Sequence, residues 1–320
     1  MMPKITSFPV LVAVSALVAL ATPTHADVFV STVGVDTNTC TRTAPCRTFE
    51  RAHAVAASGD TIFCIDPGSY FATSIQKSIT IDCSAVSAAA FRADFAPVFS
   101  IAVPGIHVTI RGLNIRGLGN INAIDFVDGA SLRVERCTIQ EIVSGQPTIS
   151  SAGIRFIPAQ GAAQLFVSDT IISRVGDNTL GGSAILVAPR AGSALVTLER
   201  VQLNGNFEGL RATGASGGAV FVSIQDSIAS INSSYGFIAV NPVGGKPVTM
   251  DIQRSSSTLN GGAGIRASGP GVRVFVGSSS VTANTTGYSP ANGGIIFSYG
   301  NNAVDSNSDD GLANGSTALR

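Results

Sequence analysis

The 320-residue chain has no tryptophan, four tyrosines, three histidines and only 12% charged residues, with a formal net charge of +0. Each shortage removes a class of function. Without a basic field the chain offers no grip on a nucleic-acid backbone and no polybasic surface for lipid. With so few large aromatic rings, sugar-stacking platforms are scarce. Helical periodicity is almost missing after residue 58, so a helical bundle is excluded. What is abundant is apolar and small. The hydrophobic share of 45% is ample for a core, and 35 glycines point to short strands broken by frequent turns.

Residues 1–26 read as a secretory signal peptide. Lys4 supplies a positive start, residues 10–21 are apolar, and Thr24-His25-Ala26 offers small residues for cleavage after Ala26. The apolar run is shorter than the ~20 residues that span a bilayer, so no membrane insertion is expected. The expected location is secreted or periplasmic. The remaining chain divides into an N-terminal cap (27–59), a repeat region (60–305) and a C-terminal tail (306–320).

Seven copies of one pattern fill the repeat region. A first strand carries the anchors Ile110, Val134, Val167, Leu198, Ile224, Ile252 and Val276, each usually preceded by an aliphatic residue two positions earlier. A second short strand begins three residues on. A third follows a small residue, as at Ile124-Phe126, Ile154-Phe156, Leu210-Ala212 and, in the last copy, Ile295-Phe297. Period-2 alternation means half-buried strands. Two consecutive outward residues after each anchor, such as Glu199 and Arg200, force a bend. Anchor spacings of 24, 33, 31, 26, 28 and 24 residues lie in the solenoid range. Three strands turning the same way describe an all-β, right-handed parallel β-helix of about three strands per coil.

The corner after the second strand reads Leu118, Ile142, Val175, Asn206, Asn232, Asn260 and Asn284. Asparagine tolerates a left-handed backbone. Stacked at the ~4.8 Å strand spacing, its amides can bond to one another as an asparagine ladder. Asn232 and Asn284 also match a glycosylation sequon, but ladder duty is the expected role.

The coil pattern, the ladder and the leader resemble the right-handed parallel β-helix of the pectin-lyase-like superfamily. The segment "CTRTAPCRTFERAHAVAASGDTIFCIDPGSY" is similar to the N-terminal region of secreted bacterial β-helix-repeat proteins. The resemblance covers nearly all of residues 28–305. It implies a fold rather than one activity, since the superfamily holds lyases, hydrolases, esterases and adhesins.

A solenoid needs a cap over its first coil. Residues 48–57 are the convincing helix, with Phe49, Ala52, Val55 and Ala56 on one face. Export permits disulfides. Cys40 and Cys46 flank a short loop and are expected to pair. Cys64 and Cys83, on neighbouring early strands, are a second pair that the spacing allows, and Cys137 reads as a buried free thiol. The five cysteines lack the spacing of a metal site, so no metal is expected.

Polysaccharide-cleaving β-helices need clustered carboxylates or paired acids with a basic partner. Asp309-Asp310 is the only acidic pair and reads as solvated tail, while His53 and His107 show no evident Asp or Ser partner in register. One constellation stands out. The second outward corner position carries Arg136, Asp169, Arg200, Asp226 and Arg254, with charges alternating up the stack. It is either a strip that holds a charged glycan or an ion ladder that fixes register, and the ladder is the favoured reading. Extra residues at 143–152, 176–183 and 285–293 are expected to form insertions along one edge. The leading functional expectation is a non-catalytic β-helix protein that contacts polysaccharide or cell-envelope components, with no cofactor. The alternative is a lyase or hydrolase acting on an acidic polysaccharide, and only that reading calls for calcium.

Overall fold

The computed structural model describes residues 27–92, 95–146, 148–214 and 217–318, so residues 1–26, where a leader is expected, lie outside the described residues. Among the described residues the chain winds into three parallel sheets of 12, 9 and 10 strands, with one short helix. Each complete coil contributes one strand to each sheet. This is the right-handed parallel β-helix that the repeat predicts.

The anchors superpose as expected. Ile110 lies beside Val134, then Val167, Leu198, Ile224, Ile252 and Val276, all in strict parallel register. All seven are buried, none more than 1% exposed. The column also runs further in both directions than the seven copies. Val28, Ile62 and Ile81 precede it, and Ser298 and Ser316 follow it. The sheet therefore begins within the segment read as cap, at Asp27–Val30.

The last coil corrects the sequence reading. Ile295–Ser298 joins the first sheet beside Val272–Gly277 instead of forming a third strand. The third strand of that coil is Thr286–Ala291, which places Tyr288 beside Ile265. Residues 285–293 are thus a regular part of the coil. Tyr288, 4% exposed, fills the inward position that Ile265, Phe237 and Leu210 fill in the preceding coils. The tail is corrected as well. Gly287 and Tyr288 donate backbone N–H groups to Asp309 and Asp310, so the acidic pair covers the edge of the last third strand.

Glycine before the third strand has a packing cause. A Cβ on Gly209 would overlap the carbonyl of Gly236, and one on Gly236 would overlap the Ser257 hydroxyl and the Gly264 carbonyl. Successive coils approach so closely at Gly209 and Gly236 that a Cβ does not fit there, whereas the same column carries buried Ala123 and Ala184 in earlier coils.

The cap helix is Phe49–Val55, and the Thr48 hydroxyl caps it by accepting the Arg51 N–H. Phe49 and Ala52 are buried, as is Ala56 just beyond its end, but Val55 is 41% exposed and His53 takes the inward position. The His53 Nε2 accepts the Gln76 N–H, and Lys77 donates to the His53 and Ala56 carbonyls. Burial, then the neighbouring Lys77 charge, holds the imidazole below its ordinary pKa. Cys40–Cys46 and Cys64–Cys83 are bonded, and Cys137 is free and buried. Burial pushes the Cys137 thiol up to about 11.

Candidate functional site

From Arg136 to Ala283 each coil turns twice through a residue with left-handed backbone. At the corner between the first and second sheets these are Gly112, Arg136, Asp169, Arg200, Asp226, Arg254 and Ser278, with φ between 47° and 66°. Such a residue throws its side chain outward, so the charged column stands on an exposed ridge as the sequence implies.

The column is not a continuous alternation. Arg200 grips Asp169 through two hydrogen bonds, 2.6 Å to Oδ1 and 3.0 Å to Oδ2, and also reaches Glu199. Arg254 grips Asp226 in the same way, at 2.9 and 2.8 Å. Between Arg200 and Asp226 there is only a through-space interaction, as there is between Arg136 and Asp169. Arg136 makes no side-chain hydrogen bond among the described residues. Five charges thus resolve into two closed pairs and one separate cation. In each pair the forked guanidinium meets both oxygens of one aspartate.

Electrostatics agree with this pairing. The hydrogen bonds from Arg200 and Arg254 hold Asp169 and Asp226 below the usual carboxylate range. The same bonds raise both guanidinium groups. Beside the second pair lies a shallow groove of about 690 Å³, lined by serines that include Ser256, Ser278 and Ser280 together with Asn301.

Immediately inside the ridge is a hydroxyl ladder that the sequence reading missed. Val201 donates its N–H to Ser227 Oγ, Ser227 to Ser255, and Ser255 to Ser279, each at 3.1 Å. Ser279 donates to Asn302 Oδ1, which ends the run. Each serine hydroxyl in turn donates to the carbonyl two residues before it. The serines were visible in the repeat as a column, but their small size made them read as ordinary strand positions.

The second corner holds the asparagine ladder. The amide of Asn206 donates to Asn232, that of Asn232 to Asn260, and that of Asn260 to Asn284, at 2.8–3.1 Å. Asn284 donates to Asn307, a rung placed in the tail by the sequence reading, and Asn307 donates to Asp310. Asp310 has no amide to pass on, so it terminates the chain of donors. Two details depart from expectation. Leu118 is 58% exposed and lies outside the column, while Asn120 is buried and donates to the Ala96 carbonyl. The left-handed residue is the one before each ladder asparagine: Gly205, Ile231, Leu259, Ala283 and Ser306. Asparagine stands there for its amide and not for its backbone tolerance. Asn232 and Asn284, 1% and 2% exposed, are closed to glycosylation.

A second feature departs from the sequence reading. His107 and Ser131 are register partners on the outer face of the first sheet, with Nδ1 2.8 Å from Oγ. That is nucleophile–base geometry. Its surroundings do not continue the constellation, because the nearby N–H groups of Ala130 and Ser131 both point to the Ile106 carbonyl. Neither is aimed at a developing oxyanion. Among the described residues no three His, Cys, Asp or Glu side chains converge as metal ligands would.

No family model matches the sequence, and a search of curated proteins finds no relative. Solved structures do match. The pectate lyase Pel9A aligns with a TM-score of 0.60 at 14% identity, over 92% of this chain and 78% of that one. A lacto-N-biosidase of glycoside hydrolase family 136 from Eubacterium ramulus gives 0.42 at 11% identity, over 85% of this chain and 56% of that one. The A-module of the mannuronan C-5 epimerase AlgE4 from Azotobacter vinelandii gives 0.25 at 11% identity, over 82% and 91%. At such identities only the first likeness bears on the argument, and it bears on architecture. This chain has a right-handed parallel β-helix fold, similar to that of the pectate lyase Pel9A.

Proposed function

We propose that the chain is a non-catalytic β-helix protein that acts outside the cytoplasm through surface contacts with polysaccharide or envelope components. The observation that carries this reading is the closure of the charged ridge. Arg200 and Arg254 direct two hydrogen bonds each into Asp169 and Asp226, which leaves little capacity to hold or polarise a substrate. The two carboxylates stand two coils apart, or ~9.6 Å, too far to share a calcium ion with ligands at ~2.4 Å. The disulfides Cys40–Cys46 and Cys64–Cys83 support a location in an oxidising compartment. No helix among the described residues is long and apolar enough to cross a membrane.

The test is incubation with a panel of acidic polysaccharides, with and without added calcium. Unsaturated ends are followed by ultraviolet absorbance and reducing ends by a colorimetric assay. No release above a heat-denatured control is expected. Release of either kind of end, lost on Arg200→Ala, would establish the lyase or hydrolase reading instead.

A further inference from the structure

Gly68–Phe71 is the edge strand of the 10-stranded sheet, and its one neighbour there is Ala88–Phe91. Tyr70 points inward and packs against Phe49 of the cap helix, so Phe71 points outward. The Phe71 ring lies 4.6 Å from that of Phe91, its register partner. Phe91 supports the ring from one side, and no strand of the sheet stands on the other. Phe71 is 45% exposed as a result.

A cavity of about 580 Å³, within the range of small-molecule sites, is lined by this residue. Glu50 and His53 of the cap helix contribute to the lining, and so does the corner that carries Ser74, Gln76 and Lys77. The Lys77 cation is fixed in place. Its Nζ donates to the His53 and Ala56 carbonyls at 2.9 and 2.8 Å, which uses two of its three N–H groups. Both acceptors are neutral, so these bonds position the ammonium without cancelling its charge. The His53 Nε2 accepts the Gln76 N–H and adds no second cation.

The ligand that fits is narrowed by these parts. A purely apolar molecule would strand the Glu50, Ser74 and Gln76 polar groups without partners. A phosphate monoester carries nearly two charges and calls for several donors, whereas Lys77 has one N–H left. A small ring with an apolar face, hydroxyls on its rim and a single carboxylate satisfies each group in turn. Its C–H face covers the Phe71 ring, its hydroxyls donate to Glu50 and bond to Ser74 and Gln76, and its carboxylate accepts the remaining Lys77 N–H. That description is a uronate sugar.

We propose that the cavity between the cap helix and Phe71 binds a uronate residue of an acidic saccharide. The proposal rests on the reading of the chain as one that contacts polysaccharide, and adds a site and a charge class to it. The full chain is titrated calorimetrically with a glucuronate tetramer and with the matching glucose tetramer, which carries a primary alcohol in place of each carboxylate. That pair tests the cation without altering the protein, and so stands even where a variant fails to fold. Phe71→Ala tests the ring. Phe221→Ala, at a residue 49% exposed on the outer face of the first sheet, is the control. Circular dichroism and melting temperature check that both variants fold. The glucuronate tetramer is expected to bind, with affinity about tenfold weaker for the glucose tetramer and for Phe71→Ala, and unchanged for Phe221→Ala. No binding by the native chain overturns the proposal, as does equal binding of the two tetramers or undiminished binding by folded Phe71→Ala. A loss confined to Phe221→Ala moves the binding to the first sheet and overturns it as well. Each of these results leaves the broader reading of the chain standing. Cleavage of the tetramer, followed by chromatography of the same mixture, overturns that reading and the proposal with it.

Discussion

The two tight corners of each coil solve one backbone problem in opposite ways. Both use a single left-handed residue, and both must satisfy the peptide groups that the turn removes from the sheets. At the second corner the following side chain points inward and supplies an amide. That amide donates to the next rung and accepts from the previous one, so the pairing is buried and directional. At the first corner a serine just inside supplies the hydrogen bonds, and the left-handed residue itself points to solvent. Charges collect there because the position is exposed and its polar needs are met from within. The comparison separates what holds the stack from what decorates it. The buried ladders are structural, and the charged ridge adds little that water does not already offer.

Breaking a rung of the asparagine ladder should have the largest effect. Asn260 accepts the N–H and the amide of Asn232, and donates to Asn284 and to the Ala229 carbonyl. Asn260→Ala strands several of these groups in a site that is 2% exposed. It should destabilise the protein by about 2–3 kcal/mol, measured by urea denaturation. Ser255→Ala removes a single acceptor and donor at the first corner and should destabilise by about 1 kcal/mol. Equal losses at the two sites would mean that the amide chain has no cooperative advantage over the hydroxyl chain.

The comparison can also be sharpened by improving a corner. Ile231 is β-branched, 62% exposed and held at φ 56°. Its equivalent one coil earlier is Gly205, which meets the same demand without strain. Ile231→Asn should stabilise by about 1 kcal/mol by relieving the left-handed penalty, read as a higher denaturation midpoint. A loss would show that the Ile231 side chain makes a contact worth more than its backbone strain.

Legibility from sequence followed burial. The anchor column, the third-strand glycines and four ladder asparagines repeat at fixed offsets because each is enforced by neighbours above and below. Register was lost where that enforcement changes. In the last coil the inward column is held by Tyr288, a residue with a polar hydroxyl, and the hydrophobic Ile295-Ile296-Phe297 run imitates the missing strand. Leu118 matched the ladder offset by residue type, while the buried polar residue at that corner is Asn120, two positions on. The charge column was placed correctly, but its pairing was not legible. Alternation in sequence says which residues stack, and rotamers decide that Arg200 turns toward Asp169 and not toward Asp226. His107 and Ser131 were missed because register at the first coils was not extended back from the anchors.

The smallest effects belong to the charged ridge, and they test whether it acts as a column or as pairs. If pairs are the unit, Arg200→Ala and Arg254→Ala should lower the melting temperature slightly, and Arg136→Ala, which breaks no hydrogen bond, should leave it unchanged. Both losses should shrink as salt is added, since the groups are exposed and screening is effective within ~10 Å at 0.1 M. Acid should remove the same contribution. Asp169 and Asp226 are held below the ~3.9 of a free aspartate by bonds to their arginines. Their stabilisation is therefore complete above pH ~4 and fades as pH falls through the lowered folded values. Arg200→Ala should lose the part of that acid sensitivity due to Asp169. The decisive variant exchanges the partners of one pair. If uninterrupted alternation were what mattered, Asp169→Arg with Arg200→Asp would not restore what the single reversal Arg200→Asp loses, because it sets the new Arg beside Arg136 and the new Asp beside Asp226. The observed geometry predicts the reverse. The exchanged pair can re-form its two close hydrogen bonds, while the like-charged neighbours, also one coil away, can turn apart into solvent. Recovery of most of the lost melting temperature at moderate salt is expected, with a residual deficit that grows as salt is withdrawn. A double variant no more stable than Arg200→Asp at every salt concentration would show that the ridge works as a single column.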